Sequence, residues 1–239
     1  VSDLFLFGIF PYLAVALAVG GLVHRYRTLR HTVTARSSQL LEDRALYWGS
    51  VPWHYAILAI LLAHLGATLF PGAWGRLLGA PGRLLALEVS GLALGGLAVL
   101  GIALLLVRRS RLGASTGAMD WVVLALLLLQ AATGLYVAFT LRWGGAWYVQ
   151  TAAPWLASLA TLSPQVDRMA PLPAAVKLHA VNAFALVALL PLSKLAHLTS
   201  LPVAYLWRPP QVVVWRRAPG GPVRTPRPAG GGSATASRG

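Results

Sequence analysis

The sequence predicts an all-α integral membrane protein: five transmembrane helices in a bundle, with the N-terminus outside and the C-terminus inside. Three observations carry that expectation. The 239-residue chain is 57% hydrophobic and only 11% charged, against roughly 25% charged in an average soluble domain. Its apolar residues fall into long runs, and its net charge of +14 comes from cations gathered between those runs. Nucleic-acid binding, the usual partner of such basicity, needs a densely charged folded face that this composition does not supply.

Each element follows from the cost of burying backbone in lipid. A crossing takes ~20 apolar residues, because every peptide group must be satisfied within the segment across ~30 Å of hydrocarbon. Runs near Leu4–Val23, Val51–Phe70, Leu84–Val107, Trp121–Leu141 and Ala174–Thr199 qualify. The first has no basic leader and no small-residue cleavage site, so it reads as a retained span. Pro71 and Gly72 end the second, and Asp120 is placed to cap the start of the fourth. Between the fourth and fifth, residues 142–173 are too polar and too interrupted by proline to cross. Trp143, Trp147, Tyr148 and Trp155 in that stretch suit the headgroup level.

Basic residues set the orientation, since loops rich in Lys and Arg stay in the cytoplasm. The first loop holds Arg25, Arg27, Arg30, Arg36 and Arg44, and the third holds Arg108, Arg109 and Arg111. The tail adds Arg208, Arg216, Arg217, Arg224, Arg227 and Arg238, whereas the opposite side has only Arg76, Arg83, Arg142 and Arg168. Residues 1–207 are therefore the membrane domain and 208–239 a cytoplasmic tail. The start of that tail mixes apolar and basic residues suited to docking a partner or a lipid surface. From about residue 218 it is rich in Pro, Gly and Ser and is expected to be flexible.

No cysteine is present. Disulfides, thiolate metal sites, iron–sulfur clusters and covalent c-type haem are thereby removed. Any metal must be held by His, Met or oxygen.

Of six histidines, His24 and His31 lie in the basic first loop, whereas His54 and His64 fall in the second span and His179 and His197 in the fifth. Ionisable groups inside a span are costly and face the bundle interior, which makes these four functional candidates. On a continuous helix, the 18 residues from His179 to His197 make five whole turns and ~27 Å of rise, putting both on one face. The ten residues from His54 to His64 give ~15 Å, with directions ~80° apart. Spans two and five run antiparallel, so depth pairs His54 with His197 and His64 with His179. Two facing neutral imidazoles are the ligand set of a b-type haem. A proton relay and a site for another metal remain open from the pattern alone, and a ~12 Å mismatch between the two separations needs tilt or a bend at Pro191.

The residues in sequence order resemble the gamma subunit, a membrane cytochrome b, of respiratory nitrate reductase. FPYL in the first span, RSSQLLEDR in the first loop and WHYAILAILLAH in the second span carry the likeness. STGAMDWVVLALLLLQAATGL, KLHAVNA and PLSKLAHLTSLPVAYL extend it to about Arg217. The resemblance implies two b-type haems, an inner one on His54 and His197 and an outer one on His64 and His179. It also implies quinol or menaquinol as substrate near the outer haem, with Arg83 standing where the family has a lysine. Arginine keeps the charge but not the donor geometry or the capacity to deprotonate.

Glu88 is a further candidate to accept quinol protons. Arg36, Arg44, Lys194 and Arg208 are candidates to meet haem propionates. Electrons would pass inward from the outer to the inner haem, with protons released outside. They would then reach an iron–sulfur beta subunit and a molybdenum-containing alpha subunit on the cytoplasmic side of the cell's inner membrane. The alternative is a related dihaem quinone-linked cytochrome of a sulfur-metabolising or heterodisulfide-reductase-like complex.

Overall fold

The computed structural model describes residues 2–28, 44–111, 117–141 and 144–198. These residues form helices and turns, with no strand among them. Four helices are long and apolar enough to cross a membrane: α1 (Ser2–Thr28), α2 (Arg44–Leu69, of which Tyr47–Leu69 qualifies), α4 (Pro81–Arg111) and α5 (Ala118–Thr140). Short helices join or follow them: α3 (Pro71–Leu78), α6 (Gly144–Gln150), α7 (Ala152–Ala160) and the apolar α8 (Ala174–Leu189). The tail from residue 208, with Arg36 and Arg208, lies outside the described residues.

Helix α2 ends at Leu69 as the Pro71–Gly72 pair predicts, but Pro71 immediately opens α3 at a position where a missing N–H costs nothing. The second expectation at a helix end fails. Gly117, not Asp120, occupies the N-cap of α5, and no side chain caps it. Asp120 sits in the first turn, where its charge still suits the helix dipole, and is drawn into ion pairs with Arg109 and Lys194.

The fifth predicted span is also corrected. Instead of running to Thr199, α8 stops at Leu189 after 16 residues. Pro191 has no N–H to continue the ladder and its ring would strike the carbonyl four residues back. The chain tightens into turns, with Leu190 N–H donating to the Val187 carbonyl and Leu192 N–H to that of Leu189. A single tight helical turn, Lys194–Leu198, then carries His197. The ~27 Å rise expected for an unbroken helix does not apply, which removes the basis of the mismatch with His54 and His64.

In packing, α2 lies on α4, α4 on α5, α5 on α8, and α8 on α1. Trp53, Ala56, Ala98 and Ile102 form the buried seam between α2 and α4. Glycine permits this crossing: a Cβ on Gly101 would stand 2.9 Å from the Gly49 carbonyl oxygen and 3.0 Å from Trp53 Cβ. Among the described residues α2 and α8 share no extensive contact.

The stretch after α5 is not a plain interfacial belt. Trp155 on α7 is 2% exposed and packs edge-on against Phe7, with centroids 5.8 Å apart, and against Phe184 at 6.0 Å. Its indole N–H donates to the Phe7 carbonyl at 3.0 Å. That carbonyl belongs to a wide, π-type turn, Phe5–Ile9, at the start of α1. Trp155 is thus a core residue rather than a headgroup anchor. Trp147 is half-buried against the same cluster, and Trp143 lies outside the described residues.

Candidate functional site

The four histidines lie on α2, on α8 and on the turn that follows it. His54 and His64 share the continuous helix α2, as the spacing predicts. His179 stands in the second turn of α8 and His197 in the separate turn Lys194–Leu198. The structure brings His54 and His197 face to edge, with ring centroids 6.1 Å apart and planes at 64°. His64 and His179 have other neighbours. The ring of Tyr148 lies 5.2 Å from that of His64, and His179 turns toward α5.

Hydrogen bonding gives these rings a common polarity. His54 Nδ1 lies 2.7 Å from the Ser50 carbonyl, His64 Nδ1 2.8 Å from the Ile60 carbonyl, and His197 Nδ1 2.6 Å from the Lys194 carbonyl. A carbonyl can only accept, so Nδ1 carries a hydrogen in all three, and in the neutral ring Nε2 has the lone pair. For His179 the partner is Thr133 Oγ1 at 3.1 Å. Thr133 donates its own hydrogen to the Leu129 carbonyl at 2.7 Å, so its oxygen accepts from His179 Nδ1. Gln130 Nε2 stands 3.1 Å from His179 Nε2, donating to the lone pair, while its Oε1 accepts from Asn182 Nδ2 at 2.7 Å. A ligating histidine has one nitrogen tied to a carbonyl or hydroxyl in this way; at His179 the Gln130 amide occupies the other nitrogen as well.

Could the residues hold haem? Two metal–nitrogen bonds of about 2 Å on opposite sides of one ion put imidazole centroids roughly 6 Å apart, and the His54–His197 pair shows 6.1 Å. Among the described residues no three His, Cys, Asp or Glu side chains converge. Two imidazoles per site suit a metal whose other ligands come from a macrocycle. Gly134 on α5 adds a second fit: a Cβ there would lie 2.9 Å from His179 Cε1, so only glycine leaves that ring its place.

The remaining candidates have other partners. Arg83, exposed, donates from Nε to the Leu77 carbonyl at 2.7 Å and from Nη2 to that of Arg76 at 3.1 Å, closing the end of α3. Its partners in the structure include neither His64 nor His179. Glu88 accepts the Gly145 N–H at 3.0 Å and so fastens α6 to α4. Lys194, expected to face a propionate, instead pairs with Asp120 at 2.8 Å.

Several neighbours of the histidines are not singled out by the sequence reading. Thr68 donates to the His64 carbonyl at 2.8 Å, so the Tyr148 hydroxyl, 2.8 Å away, donates to Thr68 Oγ1. Burial pushes the pKa of the Tyr148 hydroxyl above its ordinary value. Gln130, Thr133 and Asn182 surround His179. Their signal was available: Gln130, Thr133 and Gly134 fall at helical spacings of three and four on one face, and Asn182 lies three after His179.

Fold and site together define a class: a helical, multi-pass membrane protein that brings histidines from separate elements together. A model of the nitrate reductase gamma subunit family matches residues 3–216. The chain belongs to that family, and is thus the membrane subunit of an oxidoreductase complex.

It is 30% identical over 223 residues to the nitrate reductase gamma chain of Bacillus subtilis, covering 90% of this chain and 99% of that one. To the respiratory nitrate reductase 1 gamma chain of Escherichia coli it is 32% identical over 230 residues, 88% and 96% of the two chains. It is also 32% identical over 209 residues to the nitrate reductase-like protein NarX of Mycobacterium tuberculosis, covering 83% of this chain and 32% of that longer one.

Proposed function

We propose that this protein is the cytochrome b subunit of a respiratory nitrate reductase, taking electrons from quinol and delivering them to alpha and beta subunits. One observation carries the reading. All four candidate ligands direct Nδ1 to a carbonyl or hydroxyl oxygen, and the rings of His54 and His197 stand 6.1 Å apart, the centroid spacing that an iron held between two imidazoles calls for.

His54 and His197 hold one b-type haem, and His64 and His179 hold the other. Haem bound at these two places supplies one-electron carriage, the chemistry that a two-electron donor such as quinol and an iron–sulfur partner both require. The protein supplies ligand identity and tautomer. The excess of arginine in the first and third loops and the tail supports a cytoplasmic C-terminus and a location in the cell's inner membrane. With α1 starting outside, α8 and its following turns make the return crossing. The His54–His197 pair then lies toward the cytoplasm and the His64–His179 pair toward the outer face, where quinol docks and its protons leave.

At the outer site Tyr148 and Thr68 line the approach to His64. Arg83 contributes positive charge at the start of α4, and its hold on α3 orders the segment next to the site.

Replacement of His64 or His179 by alanine tests the route. Either variant is expected to abolish quinol-driven reduction of the remaining haem in membranes, while dithionite still reduces it. Quinol-driven reduction that survives both changes would contradict the assignment.

A further inference from the structure

Among the four candidate ligands, His197 is the one whose position no long helix sets. Helix α8 ends at Leu189, and the turn Lys194–Leu198 is joined to it by a bend at Pro191. Ties from elsewhere therefore have to place it. One comes from α1: Arg25 Nη1 donates to the Pro191 carbonyl at 3.0 Å and to the Ser193 carbonyl at 3.1 Å. A second is Asp120, whose Oδ2 accepts from Lys194 Nζ at 2.8 Å and also pairs with Arg109 Nη2 at the end of α4. Lys194 is engaged at both ends. Its ammonium meets Asp120, and its carbonyl accepts the Nδ1 hydrogen of His197 at 2.6 Å.

We infer that Asp120 is a positioning residue for His197, acting through Lys194 to fix the ligand's place and the direction of its ring. This rests on the haem reading above.

An exposed ion pair alone would do little, and Lys194 is 53% exposed. Asp120 and Arg109 are only 17% and 18% exposed, and the one carboxylate serves two cations from separate segments. Removing its charge leaves Arg109 and Lys194 facing each other, so the turn is pushed away rather than merely released. Loss of a residue that orients a metal-ligating histidine typically weakens metal affinity roughly 10–100-fold, and an effect in that range is expected on the haem of His54 and His197.

The test uses the full chain in membranes with its partner subunits, comparing Asp120→Asn and Lys194→Gln with the unaltered protein. The readouts are haem retention, the low-spin ferric signal in electron paramagnetic resonance, and the midpoint potential of each haem. His54→Ala assigns the signal of the affected haem, and the other haem reports that the bundle is folded. Both variants are expected to lose the His54–His197 haem on purification and to shift its ferric signal, with the second haem unchanged.

A simple charge effect would instead move the midpoint potential in opposite directions in the two variants without loss of haem, and would overturn the inference. So would an unaltered signal in Asp120→Asn, or equal loss of both haems. Absence of haem from the unaltered protein would overturn the reading beneath the inference, a result distinguishable from the others.

Discussion

His179 and His197 lie on neighbouring stretches of chain and are held by opposite means. His179 is set into the regular helix α8, and its surroundings are side chains of α5: Thr133 and Gln130 on its two nitrogens, and Gly134 against its ring. His197 sits beyond a proline break, on a single turn whose own backbone takes its Nδ1 hydrogen and whose placement depends on ions and on Arg25. A helix-borne ligand is positioned by packing and small neutral hydrogen bonds. A turn-borne ligand is positioned by charge, which acts at longer range and tolerates irregular backbone. The two sites should therefore fail in different ways when their neighbours are changed.

The largest contrast is expected at Gly134. In Gly134→Val the new Cβ meets His179 Cε1 at 2.9 Å before the branch methyls are counted, so the ring must leave its position. The visible spectrum of the purified variant is expected to show one b haem per chain where the unaltered protein shows two. Retention of both would mean that the His179 environment gives way more easily than a packed interior allows.

A smaller effect is expected from Thr133→Val, which keeps the shape and deletes the acceptor of the His179 Nδ1 hydrogen. Hydrogen bonds between helices in lipid average about 0.6 kcal/mol, so the bundle is expected to remain folded. The haem on His64 and His179 should be retained but held roughly tenfold more weakly. Competition with a haem-binding apoprotein measures this, with the His54–His197 haem as internal reference. An equal change at both haems would erase the distinction between the two regions.

Much of this arrangement was legible in the residues, and what was hidden has physical causes. The four long helices follow from apolar run length, and His54 and His64 follow from a helix without breaks. The end of α8 was signalled by Pro191, yet apolar composition on either side argued for continuity. Hydropathy registers transfer into lipid and not the loss of one backbone donor. Asp120 was misplaced as a cap because a first-turn acid and a capping acid look alike in sequence; only tertiary structure brings Arg109 and Lys194 to it. Trp155 was read as an interfacial ring because composition cannot show that its indole N–H finds the Phe7 carbonyl 148 residues away. The Tyr148–Thr68 contact over His64 joins a short helix to a long one across 80 positions, beyond the reach of any local pattern.

Paired imidazole ligation of two haems is tested most directly by counting them. The purified chain, oxidised and then reduced with dithionite, is expected to give b-type bands and, as the pyridine haemochrome, two haems per polypeptide. In His54→Ala and His64→Ala the count is expected to fall to one each, with a different haem missing. An unaltered protein carrying none, or a count indifferent to both substitutions, would contradict the assignment of these four histidines.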